Sequence, residues 1–455
     1  MEKLLSEAAK RGSRYVTEVA SRRIAPRPED AAKLNILGGP LPEDNSDPEA
    51  VLALLDDIGS PATMASTSGR YFGFVTGGAL PVTLAANWLA GAWDQNAGLH
   101  ATSPVGAKIE EIAAHWLCDI FGLPDTCGFG FTTGATMANF TCLAAARHAL
   151  LKRAGWNAED DGLFGAPPLT VVVGSEVHVS LLKALSLLGL GRARVITILA
   201  DEQGRMKPAH LPKLNERTIV CTQAGNVNTG AFDPAAEICA RGNQAGAWVH
   251  VDGAFGLWAA ASPYRSYLMK GVCEADSWAT DCHKWLNVPY DCGVAFVRDA
   301  ESLRNAMIVS AAYLHTENMR EPAHYSPEAS RRARGVEVWA AIRSLGRTGL
   351  AELIERDCRL AKRFAESLRQ WGFDVLNDVV LNQVLVSFGD RETTRRVIAE
   401  VQSEGTCWCG GTEWHGHMAM RISVSSWATT EEDVDASVAA IARIAKRANS
   451  SQSAG

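Results

Sequence analysis

Between about residues 127 and 300, short apolar runs alternate with segments of helical periodicity. The runs LTVVVG, RVITIL, RTIVCTQ, AWVHVD, ADSWAT and GVAFV are too short for helices. Several are apolar without alternation, as strands covered on both faces must be. Residues 179–188 and 234–244 read as helices between them. This rhythm predicts an α/β fold with a mainly parallel central sheet and helices on both faces. Another helix is predicted over Pro104–Phe121: Ser103 can cap it, Pro104 suits its first turn and Gly122 can end it. Ile109, Ile112, Ala113, Trp116, Leu117 and Ile120 give it one apolar face, and Glu110 and Glu111 read as solvated. Residues 1 to about 60 are polar and helical but broken by Pro26, Pro28, Pro40, Pro42 and Pro48. Such a segment cannot build a core alone and is expected to wrap around another subunit. After residue 300 the chain turns helical and Arg-rich, then ends in a second, smaller α/β pattern.

Composition narrows the function without choosing it. The 455 residues are 47% apolar and 21% charged, enough for a sizeable core. A formal charge of −7 argues against a dedicated nucleic-acid binder. No apolar run is long enough to span a membrane, and the start lacks the apolar centre of a secretory signal. Eleven cysteines, scattered through apolar segments, fit reduced thiols in a cytoplasm rather than a disulfide framework.

In an open parallel sheet, chemistry gathers at the carboxyl ends of the strands. Four stretches fall there: FTTGATMANF, SEVHVS, VDGAFG and TDCHKW. Lys284 follows a buried-type strand and precedes apolar WLNVPYDCG, the wrong setting for a solvated lysine. A lysine among apolar groups has a lowered pKa and can attack a carbonyl carbon. Asp252 ends the WVHVD strand, where an unpaired carboxylate is costly and calls for a cation such as a protonated pyridine nitrogen. Alone, it reads equally well as a structural salt bridge or helix cap. Thr132, Thr133, Gly134, Ala135 and Thr136 precede a helix and suit a phosphate, although a plain cap explains the threonines too. His178, at a helix start, offers a ring face for stacking.

Phosphate cradle, stacking histidine, pyridine-nitrogen acid and Schiff-base lysine, in that order, are the parts of a pyridoxal-phosphate enzyme. The stretches YFGFVTGG, HATSPVGAKIEE, GFTTGATMANF, SEVHVSLLKA, QAGNVNTGAFDP, HVDGAFG, ATDCHKWLNVPYDCG and SRRARGVEVWAA resemble the group II pyridoxal-phosphate-dependent amino-acid decarboxylases, which include aromatic-L-amino-acid and glutamate decarboxylases. The resemblance implies a fold-type-I PLP-dependent transferase fold, a homodimer with active sites at the subunit interface, and a cytoplasmic enzyme that decarboxylates an L-amino acid. Residues 1–65 would be an N-terminal helical segment at the dimer interface. Residues 66–310 would be the large PLP-binding domain, and 311–455 a mobile loop with a small C-terminal domain. By the same resemblance Lys284 carries the cofactor as an aldimine and His283 is its phosphate-binding neighbour. Asp252 pairs with the pyridine nitrogen, Ala254 packs under the ring and His178 stacks above it. Ala135 and Thr136 hold the phosphate. Asp281 stands where an amide would suit the phosphate better, so Thr280 is the substitute there, and Asn226 lies on the O3′ side of the cofactor. Tyr325 is the donor that protonates Cα, with Tyr313 as the other candidate.

Tyr71, Phe72 and Phe74 are expected near the substrate entrance, where they favour an aromatic over an acidic side chain, although residues of this type serve a core equally well. No dedicated cation for a side-chain carboxylate stands out in the sequence, and Arg331, Arg332 and Arg334 are the remaining candidates. An aminotransferase, with Arg421 clamping the α-carboxylate, an aldehyde synthase and a carbon–carbon lyase are the rival activities on this scaffold. A non-catalytic scaffold has no need of Lys284, Asp252 and His178 together. Cys407, Cys409, His415 and His417 superficially resemble a zinc site, but their spacings are tighter than usual, and no metal is expected.

Overall fold

The computed structural model describes residues 1–308 and 319–452. The chain forms two compact units: residues 1–76, 363–376 and 385–455 make the first, and residues 77–362 with 377–384 the second. The amino-terminal segment thus shares a unit with the end of the chain, and these units cut across the three-part division at 65 and 310.

The second unit contains a seven-stranded sheet: β1 Gly128–Thr132, β2 Thr170–Gly174, β3 Ile196–Ile198, β4 Thr218–Gln223, β5 Trp248–Asp252, β6 Ser277–Asp281 and β7 Gly293–Val297. Their order is β1-β7-β6-β5-β4-β2-β3. Strands β2 to β6 are joined in parallel, whereas β7 runs antiparallel to both β6 and β1. The chain between β6 and β7 is too short for a crossover helix, so β7 must return alongside β6. The six apolar runs read as strands all are strands. Strand β1, GFGFT, was legible only as a Gly-rich stretch, and it is buried along its whole length.

The helix Ala135–Arg153 lies on this sheet. Its Ala138, Cys142, Ala145 and Ala149 meet Val171, Val173, Ile219, Ala279 and Ala295 in one buried cluster. Small side chains let a helix come close to a sheet, which brings its first turn beside the ends of β5 and β6. The helix Pro104–Phe121 is capped as expected: Ser103 Oγ accepts the Gly106 N–H at 3.1 Å, and Gly122 takes φ 66°. Glu110 departs from the solvated reading. It is 1% exposed and pairs with the fully buried Arg331 at 2.7 Å, because a buried carboxylate needs a charged partner.

β8 Asp374–Val375, β9 Gln383–Ser387, β10 Gly410–Trp414 and β11 His417–Ser423 form a smaller sheet ordered β10-β11-β9-β8. The segment near residue 70 is stitched to it: the Phe72 N–H donates to the Trp408 carbonyl at 2.8 Å, and the Ser423 N–H to the Phe72 carbonyl at 3.0 Å. All eleven cysteines are free thiols, and only Cys273 is exposed. Among the described residues no helix is long and apolar enough to cross a membrane.

Candidate active site

The lysine turn is the best-anchored part of the site. Lys284 follows β6, and the chain then turns at Asn287, which takes φ 56°. Asn287 Oδ1 accepts the Gly78 N–H at 2.8 Å, and its Nδ2 donates to the Trp285 carbonyl at 2.8 Å. Gly77 passes so near that a Cβ there would lie 1.9 Å from the Lys284 carbonyl oxygen. On the other side Trp285 Nε1–H donates to Asp357 Oδ2 at 2.8 Å, and burial pushes the Asp357 carboxyl up to about 7. Gly77, Asn287 and Asp357 carry no signal in a single sequence beyond a turn-forming Asn after KWL. They act through the backbone of the lysine, where sequence motifs are silent.

The charged groups converge above this turn. Lys284 Nζ lies 2.9 Å from Asp281 Oδ2, while Asp281 Oδ1 accepts the Ala135 N–H at 2.5 Å. Asp281 therefore occupies one donor of the helix start expected to serve the phosphate. His283 Nδ1 accepts the Cys292 N–H at 3.1 Å, which puts the ring proton on Nε2, 3.6 Å from Asp281 Oδ1. Burial pushes His283 below its ordinary value. The Thr280 hydroxyl is buried and has no hydrogen-bond partner among the described residues. Thr132 is not available, since its hydroxyl donates to the Gly134 carbonyl at 3.1 Å. Thr136 sits half-buried in the first helical turn.

Asp252 ends β5, next to β6, and is 5% exposed. Its Oδ1 accepts the Ala254 N–H at 3.2 Å and its Oδ2 the Asn139 amide at 3.1 Å. Ala254 in turn accepts the Asp281 N–H at 2.9 Å, linking the two acidic strand ends. His178 caps the helix Val179–Leu187, with Nδ1 2.7 Å from Ser180 Oγ. Asn226 is used by its own loop: Oδ1 accepts the Asn228 and Thr229 N–H groups at 2.8 and 3.3 Å, and Nδ2 donates to the Glu176 carbonyl. Gln223 Nε2 donates to the same carbonyl at 2.8 Å. The two amides thus hold the loop that leads to His178, a supporting role the sequence did not reveal.

Other expected residues are not gathered here. Tyr325 packs its ring 4.4 Å beneath the Arg320 guanidinium, which also covers Phe129 at 3.8 Å. Its described contacts are with this clamp and the sheet core rather than with Lys284. Tyr313 lies outside the described residues. In the first unit Phe72 is 1% exposed and meets Phe364 edge-on, so it is a core residue and not an entrance. Tyr71 is also buried and stacks on Trp408, whereas Phe74 keeps 61% exposure. Arg331 is paired with Glu110, Arg332 with Glu337 and Arg334 with Asp291. Burial pushes the Arg421 guanidinium below its usual value. Cys407 and Cys409 are fully buried while His415 and His417 are exposed. Among the described residues no three His, Cys, Asp or Glu side chains are placed to share a metal ion.

Pyridoxal phosphate requires an amine, a cradle for its phosphate and a negative partner for its ring nitrogen. Lys284 offers the first. The Ala135 helix start, His283 Nε2–H and the orphaned Thr280 hydroxyl offer the second, and Asp252 the third, so the residues present fit the cofactor. Comparison with known proteins agrees. Residues 38–389 match the family described as the pyridoxal-dependent decarboxylase conserved domain. The aromatic-L-amino-acid decarboxylase of Bacillus atrophaeus is 26% identical over 424 residues, covering 88% of this chain and 86% of that protein. Histidine decarboxylase of Drosophila melanogaster is 30% identical over 362 residues, 73% of this chain and 42% of that protein. The crystal structure of Oryza sativa TDC with PLP and tryptamine superposes with a TM-score of 0.91 at 23% identity, over 98% of this chain and 97% of that one. The chain belongs to the pyridoxal-dependent decarboxylases and is a pyridoxal-phosphate enzyme of the carboxy-lyase class.

Proposed function

We propose that the protein removes the carboxyl group of an L-amino acid with an aromatic side chain, releasing the amine and carbon dioxide. The observation that carries this reading is Lys284, paired with Asp281 at the helix start of Ala135 and following the strand next to the one that buried Asp252 ends. Pyridoxal phosphate, when bound, supplies the electron sink for the pair left at Cα as the carboxyl group departs. Lys284 contributes the amine that holds the cofactor, and Asp252 keeps a proton at the ring nitrogen. His283 Nε2–H and the Thr280 hydroxyl bind the anionic end together with the start of the Ala135 helix, and His178 covers the ring. Asp281 balances the lysine ammonium before the cofactor is loaded.

Two observations support an uncharged, aromatic side chain. Arg331, Arg332 and Arg334 are each spent on a carboxylate of this chain. The similarity to an aromatic-L-amino-acid decarboxylase also spans most of both proteins. The exposed Leu34, Ile36, Leu37, Val51, Leu54 and Leu55 support pairing with a second copy, and the buried free thiols suit a reducing cytoplasm. The test is to supply the twenty amino acids to the loaded enzyme and quantify carbon dioxide and amine. Aromatic substrates should lead. Keto acid as the product would make the protein an aminotransferase. Aldehyde with ammonia and peroxide would make it an aldehyde synthase.

A further inference from the structure

Behind Asp252 runs a chain of buried polar groups that the chemistry above does not use. Trp248, His250 and Asp252 alternate along β5 and so face the same side. Trp248 Nε1 lies 2.9 Å from Ser277 Oγ, and Ser277 Oγ 2.9 Å from His250 Nδ1. His250 Nε2 lies 2.8 Å from Asn139 Oδ1, and Asn139 Nδ2 3.1 Å from Asp252 Oδ2. None of the five residues is more than 5% exposed.

The two ends make this chain one-way. An indole N–H can only donate, so Ser277 accepts from Trp248 and is left to give its own proton to His250 Nδ1. A carboxylate can only accept, so Asn139 must turn its NH2 to Asp252 and its carbonyl to His250, whose Nε2 then carries the hydrogen. Each link has a single workable orientation, and flipping the Asn139 amide would set oxygen against oxygen. The histidine in the middle must be neutral, and burial does push it down to about 3.

Asp252 receives only neutral donors, Asn139 and the Ala254 N–H, and among the described residues no cation reaches it. A buried carboxylate given only neutral donors has no counter-ion until one arrives with a ligand. We propose that Asn139 and His250 are positioning residues that hold the Asp252 carboxylate aimed at the cofactor's ring nitrogen. This rests on the reading that Asp252 meets that nitrogen.

The test titrates the full-length chain, freed of cofactor, with pyridoxal phosphate and with its 1-deaza analogue, in which the ring nitrogen is replaced by C–H. Wild type should prefer pyridoxal phosphate. Asn139→Leu and His250→Leu should cut that preference by about tenfold or more, the worth of one hydrogen bond to a charged group, while affinity for the analogue stays unchanged. His250→Gln, which returns an N–H near the Nε2 position, should restore it. Equal weakening of both ligands would mean a merely structural role and overturn the proposal, as would an unchanged preference. If Asn139→Leu fails to fold, the contrast between His250→Leu and His250→Gln decides. If wild type itself shows no preference, Asp252 does not serve the ring nitrogen, and that reading fails together with this one.

Discussion

Asp357 is the residue whose placement has the clearest thermodynamic signature. Burial raises its carboxyl from 3.8 to about 7, so it takes up a proton on folding across that range. The folded state then binds more protons than the unfolded one, and stability falls as pH rises from about 4 through 7. Asp357→Asn keeps an acceptor for Trp285 Nε1 and carries no charge. It should be more stable than wild type at pH 8 by on the order of 1–4 kcal/mol, with the gap closing near pH 4, as read from denaturant unfolding at each pH. A wild type that is equally stable at both ends would mean that Asp357 is not held neutral. At this scale the roles proposed for Lys284, Asp252, His283 and His178 were readable in the sequence, because the chemistry proposed for each dictates its residue type. Asn139 and His250 were not, since an amide in an Ala-rich helix and a histidine in an apolar strand look like core residues until the strand and helix are brought together.

Between residue and fold, the stretch leading into the helix Gly335–Gln370 shows how an element can redirect a side chain. Arg320 donates to Glu110 and to the Phe129 carbonyl, and its guanidinium lies between the Phe129 and Tyr325 rings. Gly130 is required beside it, because a Cβ there would lie 1.9 Å from the Tyr325 carbonyl oxygen. A ring so clamped is suited to holding Arg320 and not to travelling to Cα. Tyr325→Phe is therefore expected to leave amine as the product, with the rate within about twofold of wild type, since the ring that meets Arg320 is retained. A shift to aldehyde, ammonia and peroxide would restore Tyr325 as the proton donor. The strands were legible because burial on both faces writes an unbroken apolar run. Strand β1 and the fate of Glu110 were not, because glycines dilute the first signal and the second depends on an arginine more than two hundred residues away.

For the whole molecule, the proposed pairing of two copies predicts that removing residues 1–50 yields aggregate or inactive monomer. Ile24 and Val19 belong to a small buried cluster with Ala65 and Tyr71, so the deletion also opens that cluster to water. Light scattering and chromatographic mass of the truncated chain check this, and a soluble, active dimer would refute it. The sequence division at residue 65 missed that the first unit is assembled from both halves of the chain, because periodicity records which face a helix hides but not which distant strand hides it. That construction bears on how the protein is made. Residues 1–76 leave the ribosome long before residues 385–455, which complete their unit. At roughly 5–20 residues per second the wait is on the order of 15–60 s. During that interval the nearly continuous second unit can already fold, while residues 1–76 stay unpartnered with their leucines and isoleucines in water. Chaperone demand should therefore fall on residues 1–76, and last until residues 385–455 have been made.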